Sequence, residues 1–486
     1  MAGTALSRRG RLAIERVDED DVQALVFQGY GKLRGACYLV LEVVDPARAR
    51  GWLASLVPRV SAGSGRPDGR AVNVAVTHEG LRRLGLAEAS LAEFPVEVQE
   101  GMTSPHRSRL LGDVGAAAPA GWEWGGPGSP SPDLLLLLYA PDDEQVARLR
   151  DEEAARAEAS GLRLVRALDT HDLGPVEHFG FRDGVSQPAI AGFGRPGPAM
   201  HTVRAGEFVL GYRNEHDQVP PTPTVDAATD RLDVLPETAG GRRDLGRDGS
   251  YLVVRQLEQD VHAFWRFLDQ CTRRADGSSD GAARTRLAAR MVGRWPGGAP
   301  VTQSPEHDDP ALAESNEFGY AADLAGHVCP VGAHVRRTNP RDSLPPKPGT
   351  DASVAVGKRH RLMRRGREYG PPVDLAGVLA GGELPRWDDE AGDVRGLHFL
   401  CLCADVARQF EFVTHTWALN AQFDGLYDDA DPLLGGHLPT GHSFTEQAVP
   451  VRRRTRGLPA FVTVRGGAYF FLPGVRALRY LAALGG

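Results

Sequence analysis

Residues 396–413 read "GLHFLCLCADVARQFEFV". An apolar run rich in Leu and Phe stops at Asp405, and from Val406 the apolar residues recur at four and then three positions, at Phe410 and Val413. The first half has the pattern of a buried strand and the second that of a helix. The same unit recurs at residues 36–57, 133–157, 249–270 and 467–484. In each, a β-rich run ends at Asp or Pro and a polar segment with helical spacing follows. The copies are not strict repeats, which excludes a solenoid. Strand–helix units of this kind, spread over the whole chain, give an α+β fold.

At 486 residues the chain has room for two or three domains, each with its own core. Residues 213–248 are rich in Pro, Gly and Asp and lack an apolar period, so they read as an interdomain loop. The expected organisation is therefore an N-terminal domain over 18–212, the loop 213–248, and a C-terminal domain over 249–486. Residues 115–133, rich in Gly, Pro and Ser, read as an insertion loop in the first half.

Composition is that of a soluble globular protein, 42% hydrophobic and 24% charged, with net charge −7. That mild acidity argues against binding nucleic acid through its phosphates. The one dense basic cluster, "VRRRTRG" at 451–457, reads as a solvated loop. No apolar run approaches the ~18 residues that span a bilayer, so no membrane partner is expected. Five scattered cysteines form no disulfide framework and suggest a reducing compartment. The "SRRG" at 7–10 glances at a twin-arginine signal, but the charged "RLAIERVDEDD" follows where an apolar segment belongs, so a cytoplasmic location is expected.

Three stretches carry candidate chemistry. "EHFGFRDGVSQP" at 177–188 sets Asp183 between two glycines and behind two phenylalanines. Asp-Gly is a turn signal, yet flanking phenylalanines are unnatural in a turn that faces only solvent. "GHVCPVGAHVRRTNPRD" at 326–342 holds His327, Cys329 and His334, whose spacing fits no compact zinc motif. "KRHRLMRRGREYG" at 358–370 is a basic run with arginines available to an anion or an oxygen ligand. The "GFGRPG" at 192–197 matches a dinucleotide fingerprint in letters only, since it follows no strand and opens no helix.

Together these stretches resemble the dye-decolorizing peroxidase family. "GFRDG" resembles its G-x-x-D-G signature, "CPVGAHVRRTNPR" its proximal-histidine segment, and "RRGREYG" the segment with its distal arginine. The likeness continues through residues 396–413 and the closing "YFFLPGVRAL" and covers nearly the whole chain. It implies two ferredoxin-like domains, antiparallel sheets with peripheral helices, and haem b held mainly by the second.

By the same resemblance, His334 is the axial iron ligand, Asp183 the distal acid–base residue and Arg364 the distal arginine, with Arg365 next in line. Arg341 pairs with a haem propionate. Leu397 and Phe399, alternating on one strand face, would keep the pocket apolar. An acid should hold the second nitrogen of His334; Glu411 and Asp431 both qualify. Tyr369 and Trp417 are candidate electron relays.

The implied function is a peroxidase using hydrogen peroxide to oxidise dyes, phenolics or similar organic donors, possible also as a homo-oligomer. The alternative is a haem-binding or haem-handling protein, which would need His334 but not Asp183 and Arg364. Thiolate ligation through Cys329 is a distant third.

Overall fold

The computed structural model describes residues 15–194, 197–387, 392–440 and 442–485. The "SRRG" stretch therefore lies outside the described residues, as do Arg195 and Pro196 of "GFGRPG". A nine-stranded antiparallel sheet organises the chain. We number its strands β1 (Gly35–Val43), β2 (Ala71–Val76), β3 (Leu134–Ala140), β4 (Leu162–Asp169), β5 (Ser250–Gln259), β6 (Met363–Arg364), β7 (Arg367–Tyr369), β8 (Gly396–Cys403) and β9 (Val462–Leu472). The helices used below are α1 (Pro46–Leu56), α2 (Asp143–Glu158), α3 (Val261–Thr272), α4 (Gly281–Val292), α5 (His334–Thr338) and α6 (Val475–Ala482).

Across the sheet the order is β6-β8-β5-β9-β2-β3-β1-β4, with β7 also pairing to β8. In the first half the fourth, first, third and second strands are neighbours in that order. The second half repeats the order as β9, β5, β8 and then the short β6 and β7. This is the ferredoxin-like arrangement, present twice. The halves join where β9 meets β2, at the pair Phe471 and Val76.

The aspartates that end the apolar runs have a local task. Asp45 accepts from the amides of Ala47 and Arg48, both at 3.1 Å, at the start of α1. Asp142 accepts from Gln145 N at 2.8 Å before α2, and Asp260 from Ala263 N at 2.8 Å before α3. Each caps amides that the first helical turn leaves without partners, so strand and helix are divided at a defined residue.

Alternation along the strands then buries both faces. Cys37, Leu39 and Leu41 of β1 pack with Trp52 and Leu53 of α1, Leu149 of α2 and Leu478 of α6. Tyr38 and Val40 face the other way, among Leu135, Leu137, Phe208 and Tyr212.

Three expectations change. Residues 407–418 were expected to continue as an α-helix after Asp405, but they are wound as a π-helix over Ala407–Glu411 and Val413–Ala418. Glu411 N bonds to Val406 O at 2.9 Å and Leu419 N to Thr414 O at 2.8 Å, each five residues back. Side-chain anchors account for the wider turn. Gln409 is tied to Glu207 O at 3.0 Å and Arg361 O at 2.7 Å, and Glu411 to Arg107 at 2.7 Å. Tertiary bonds outweigh the α-helical spacing, as is common for π-helical turns near functional sites.

The stretch 213–248, expected to be loop, contains the paired strands Thr224–Val225 and Arg243–Asp244. Val225, Leu235 and Leu245 from this stretch are buried in the core. "VRRRTRG" likewise contributes a strand, Arg453–Arg456, to a hairpin with Ser443–Glu446.

Candidate active site

A cavity of about 320 Å³ opens beneath the second half of the sheet. Neighbouring strands supply one wall. Leu397 of β8 and Val464 of β9 both pair with Leu257 of β5, and all three line the cavity. Phe399, two residues along β8, lines it too and pairs with Arg255. The alternation expected of Leu397 and Phe399 thus presents both to one space. The π-helical turn adds Phe410, Val413, Thr414 and Ala418.

Asp183 enters from the turn at 177–184. Phe179 and Phe181 are sunk in a cluster with Phe264 and Trp265 of α3. Trp265 Nε1 donates to Phe179 O at 3.2 Å. Gly180 has φ +91°, and a Cβ there would come within 3.1 Å of Leu375. The phenylalanines anchor the turn and the glycine lets it fold close to its neighbour. The segment comes before residues 213–248 in sequence, yet it packs on elements of the second half.

Asp183 Oδ1 accepts from Arg364 Nη1 at 2.8 Å. Burial alone would raise the Asp183 pKa. The Arg364 charge, the Gly184 amide and the Arg364 hydrogen bond outweigh it and hold the carboxyl below its usual range. The two arginines of "RRG" part company because a strand alternates its side chains. Arg364 goes to the cavity, while Arg365 bonds to Leu25 O at 2.8 Å and Val26 O at 2.9 Å. Arg365 is thereby occupied elsewhere.

His334 opens α5 and lines the same cavity. Its Nδ1 bonds to Asp431 Oδ2 at 2.8 Å. Asp431 is buried, and its Oδ1 accepts from Leu433 N at 3.0 Å and Leu434 N at 3.1 Å. Burial would lower the His334 pKa, but the Asp431 charge and hydrogen bond raise it overall.

Of the two acids the sequence offered, Asp431 holds the imidazole. Glu411 is bound instead to Arg107 and to Tyr469 Oη at 2.9 Å. With Nδ1–H directed at a carboxylate, Nε2 is left as the imidazole's acceptor. Cys329 is fully buried, which pushes its thiol up to about 12 and disfavours a thiolate ligand.

No family model matches the chain. Curated relatives do. It is 30% identical to a dye-decolorizing peroxidase of Auricularia auricula-judae, over 96% of this chain and 87% of that one. It is 31% identical to a multifunctional dye peroxidase of an Amycolatopsis species, over 78% and 79% of the two chains. The chain belongs to the dye-decolorizing peroxidases.

Among solved structures, a dye-decolorizing peroxidase in complex with 2,6-dimethoxyphenol superposes with a TM-score of 0.76 at 24% identity, covering 96% of this chain and all of that one. The fungal peroxidase from Auricularia auricula-judae superposes at 0.73 with 26% identity over the same shares. The chain is thus a haem-dependent oxidoreductase that uses hydrogen peroxide and a reducing substrate.

The residues of this peroxidase fit a haem. The cavity wall is largely apolar, as a porphyrin requires, and most of it comes from the second half of the chain. At its edge stand Arg294, Arg341 and Arg361, all buried. Arg341 lies over the Phe318 ring at 3.8 Å and donates to Asn316 O at 2.8 Å and Phe318 O at 3.1 Å. Arg294 Nη2, Arg341 Nε and Arg361 Nη2 are buried without a hydrogen-bond partner among the described residues.

Burial and the charges of Arg341 and Arg364 press Arg361 down to about 9; burial first, then Arg341, bring Arg294 to about 10. Buried guanidinium groups whose charge is met only by neutral acceptors are costly unless an anion joins them, and two carboxylates on a bound macrocycle meet that need.

Sequence reasoning singled out Arg341, which lines this cavity, but not its neighbours Arg294 and Arg361. The basic run 358–370 contained the signal for Arg361, whereas nothing near Arg294 marked it. Tyr369 stacks on His398 at 4.4 Å, and Trp417 packs edge-on to His360 at 5.1 Å. Both are buried and neither lines the cavity.

For the His334–Asp431 pair, we expect Asp431→Asn to raise the haem reduction potential and to lower activity by about 10–100-fold. Spectroelectrochemical titration checks it; an unchanged potential removes Asp431 as the tuning group.

Proposed function

We propose that this peroxidase binds haem b through His334 and activates hydrogen peroxide with Asp183 and Arg364, passing the oxidising equivalents to dyes, phenolics or similar donors. The observation that carries the assignment is one cavity lined by His334 with its buried carboxylate partner and by the Asp183–Arg364 pair. A protein that only stored or carried haem has no use for the second pair.

Haem, when bound, supplies an iron that accepts the oxidising equivalents of the peroxide and delivers them to the donor. Asp183 takes the proton from the near peroxide oxygen and returns it to the far one, which leaves as water. The Arg364 guanidinium orients that carboxylate and stabilises the charge that gathers on the departing oxygen, in a site whose apolar walls keep bulk water out. His334 would offer Nε2 to the haem iron, while Asp431 accepts a hydrogen bond from Nδ1–H. Arg341, with Arg294 and Arg361, would hold the haem carboxylates.

We read residues 18–212 and 249–486 as the two domains, with 213–248 between them. Five free cysteines, four of them buried, support a reducing compartment, and we place the protein in the cytoplasm. Among the described residues no helix is long and apolar enough to cross a membrane.

The test is spectral. Purified protein titrated with haemin should develop a stoichiometric Soret band, which hydrogen peroxide changes and an added phenol or dye restores. Stoichiometric loading without any response to peroxide would return the protein to the haem-binding alternative.

Arg364→Leu separates two effects. The peroxide reaction should slow by about 10²–10³, as for loss of one donor to a developing oxyanion. Its acid limb should also move to higher pH, because burial then acts on Asp183 with the main opposing charge gone. Stopped-flow rates against pH check both; an unmoved limb would show that Arg364 does not control Asp183.

A further inference from the structure

The turn that carries Asp183 is built around a second carboxylate with no part in the reading above. Glu177 stands in the cavity wall, and three donors converge on it. Oε2 accepts from Phe179 N at 2.9 Å and from Gln259 Nε2 at 2.8 Å, and Oε1 accepts from Phe181 N at 3.0 Å. The first and third donors belong to the turn itself, while Gln259 ends β5 in the other half of the molecule.

The phenylalanine side chains occupy the apolar cluster, so their amides point inward and need an acceptor there. A carboxylate meets both at once and bolts the turn to the sheet. Phe181, whose amide it holds, is two residues from Asp183.

We propose that Glu177 is a positioning residue for Asp183, fixing where that carboxylate stands at the cavity. This rests on the reading of Asp183 as the proton carrier. The position is coupled to charge. A protonated Glu177 keeps one oxygen for Phe179 N and Gln259, but its other oxygen becomes a hydroxyl, a much weaker acceptor for the Phe181 amide than the carboxylate.

Desolvation in the cavity wall pushes the Glu177 carboxyl up to about 7, so this weakening falls within an accessible range. The charged groups facing it are Asp183, paired with Arg364, on its own turn and Glu368 on β7, which burial also raises to about 7. Gln259 on β5 and Phe264 and Trp265 on α3 are neutral.

The experiment uses the haem-loaded protein at pH 8 with two probes, hydrogen peroxide and cyanide. Hydrogen cyanide must surrender its proton on binding, so its association rate reports a positioned base without any O–O cleavage. Glu177→Gln should load haem normally and slow both associations by about 10–100-fold, the scale of a ~1 Å misplacement. The Michaelis constant for the donor should not change.

In the parent, both rates should drop by a similar factor as pH falls through 7. That step should be absent in Glu177→Gln and present in Glu368→Gln. Parent rates in Glu177→Gln, or a step near pH 7 that survives in it, would overturn the proposal. If Glu177→Gln does not load haem, Gln259→Leu removes one donor and should slow both rates about 3–10-fold; parent rates there would be equally fatal. Asp183→Asn reacting at the parent rate would instead overturn the reading on which the proposal stands.

Discussion

Asp183→Asn should slow the reaction with hydrogen peroxide by about 10²–10⁴, the range a positioned acid–base group supplies, or roughly 3–5 kcal/mol of barrier. The substitution keeps the shape and the acceptor oxygen for Arg364 but removes the capacity to take a proton. The pH course adds a sharper signature. An ordinary Asp titrates near about 3.9 and an ordinary His near about 6.5.

Asp183 lies below its ordinary range because Arg364 and the Gly184 amide overcome burial. Its basic form therefore survives as pH falls and is lost only on descending through that depressed pKa. Peroxide cleavage should continue below pH 5, where a distal histidine would be protonated. Only the partial step set by Glu177 should intervene. Donor oxidation has a pH course of its own, so stopped-flow haem spectra and dye turnover must be recorded separately. Parent rates in Asp183→Asn across the acid range would return Asp183 to the role of a turn former.

His334→Ala should abolish stable haem loading, or leave a weakly held haem with no peroxidase turnover. The effect should exceed the 10–100-fold that loss of a ligand's outer partner brings, because here the ligand itself goes. The variant also leaves Asp431 buried with its imidazole partner removed. The Leu433 and Leu434 amides and the charge of Arg337 remain, but the direct charge-assisted bond is gone. Haem content per chain and the ligand-field spectrum decide the matter. A variant that binds stoichiometric haem with an unchanged spectrum would show that the iron is held by another group.

Much of this was legible before any coordinates. The strand–helix units marked five of the strands that pair in the sheet, β1, β3, β5, β8 and β9, and three of the runs ended at aspartates that prove to be helix caps. Asp183, His334 and Arg364 announced themselves because each sits in a short stretch of unusual composition.

What stayed hidden depended on distance in sequence. Asp431 meets His334 across 97 positions, and no local pattern prefers it to Glu411. Arg294 looks like any helix-end arginine until its unpaired nitrogen is seen beside the cavity. Glu177 reads as a charged residue before an apolar turn, and only the three converging donors give it a purpose. The π-helical winding was illegible because its causes, Gln409 and Glu411, act through partners far along the chain.

The place of β9 in the sheet has a consequence for synthesis on the ribosome. This strand is among the last elements of the chain, yet it lies at the centre, paired along its length with β5 and touching β2. It also brings Val462 and Val464 to the cavity. Until those residues have left the exit tunnel, β5 and β2 present unpaired edges, and the nascent chain lacks the link between its halves and a wall of its cofactor site. Capture of the cofactor therefore waits on the emergence of residues 462–472, and a chain cut short before them should fail to hold haem.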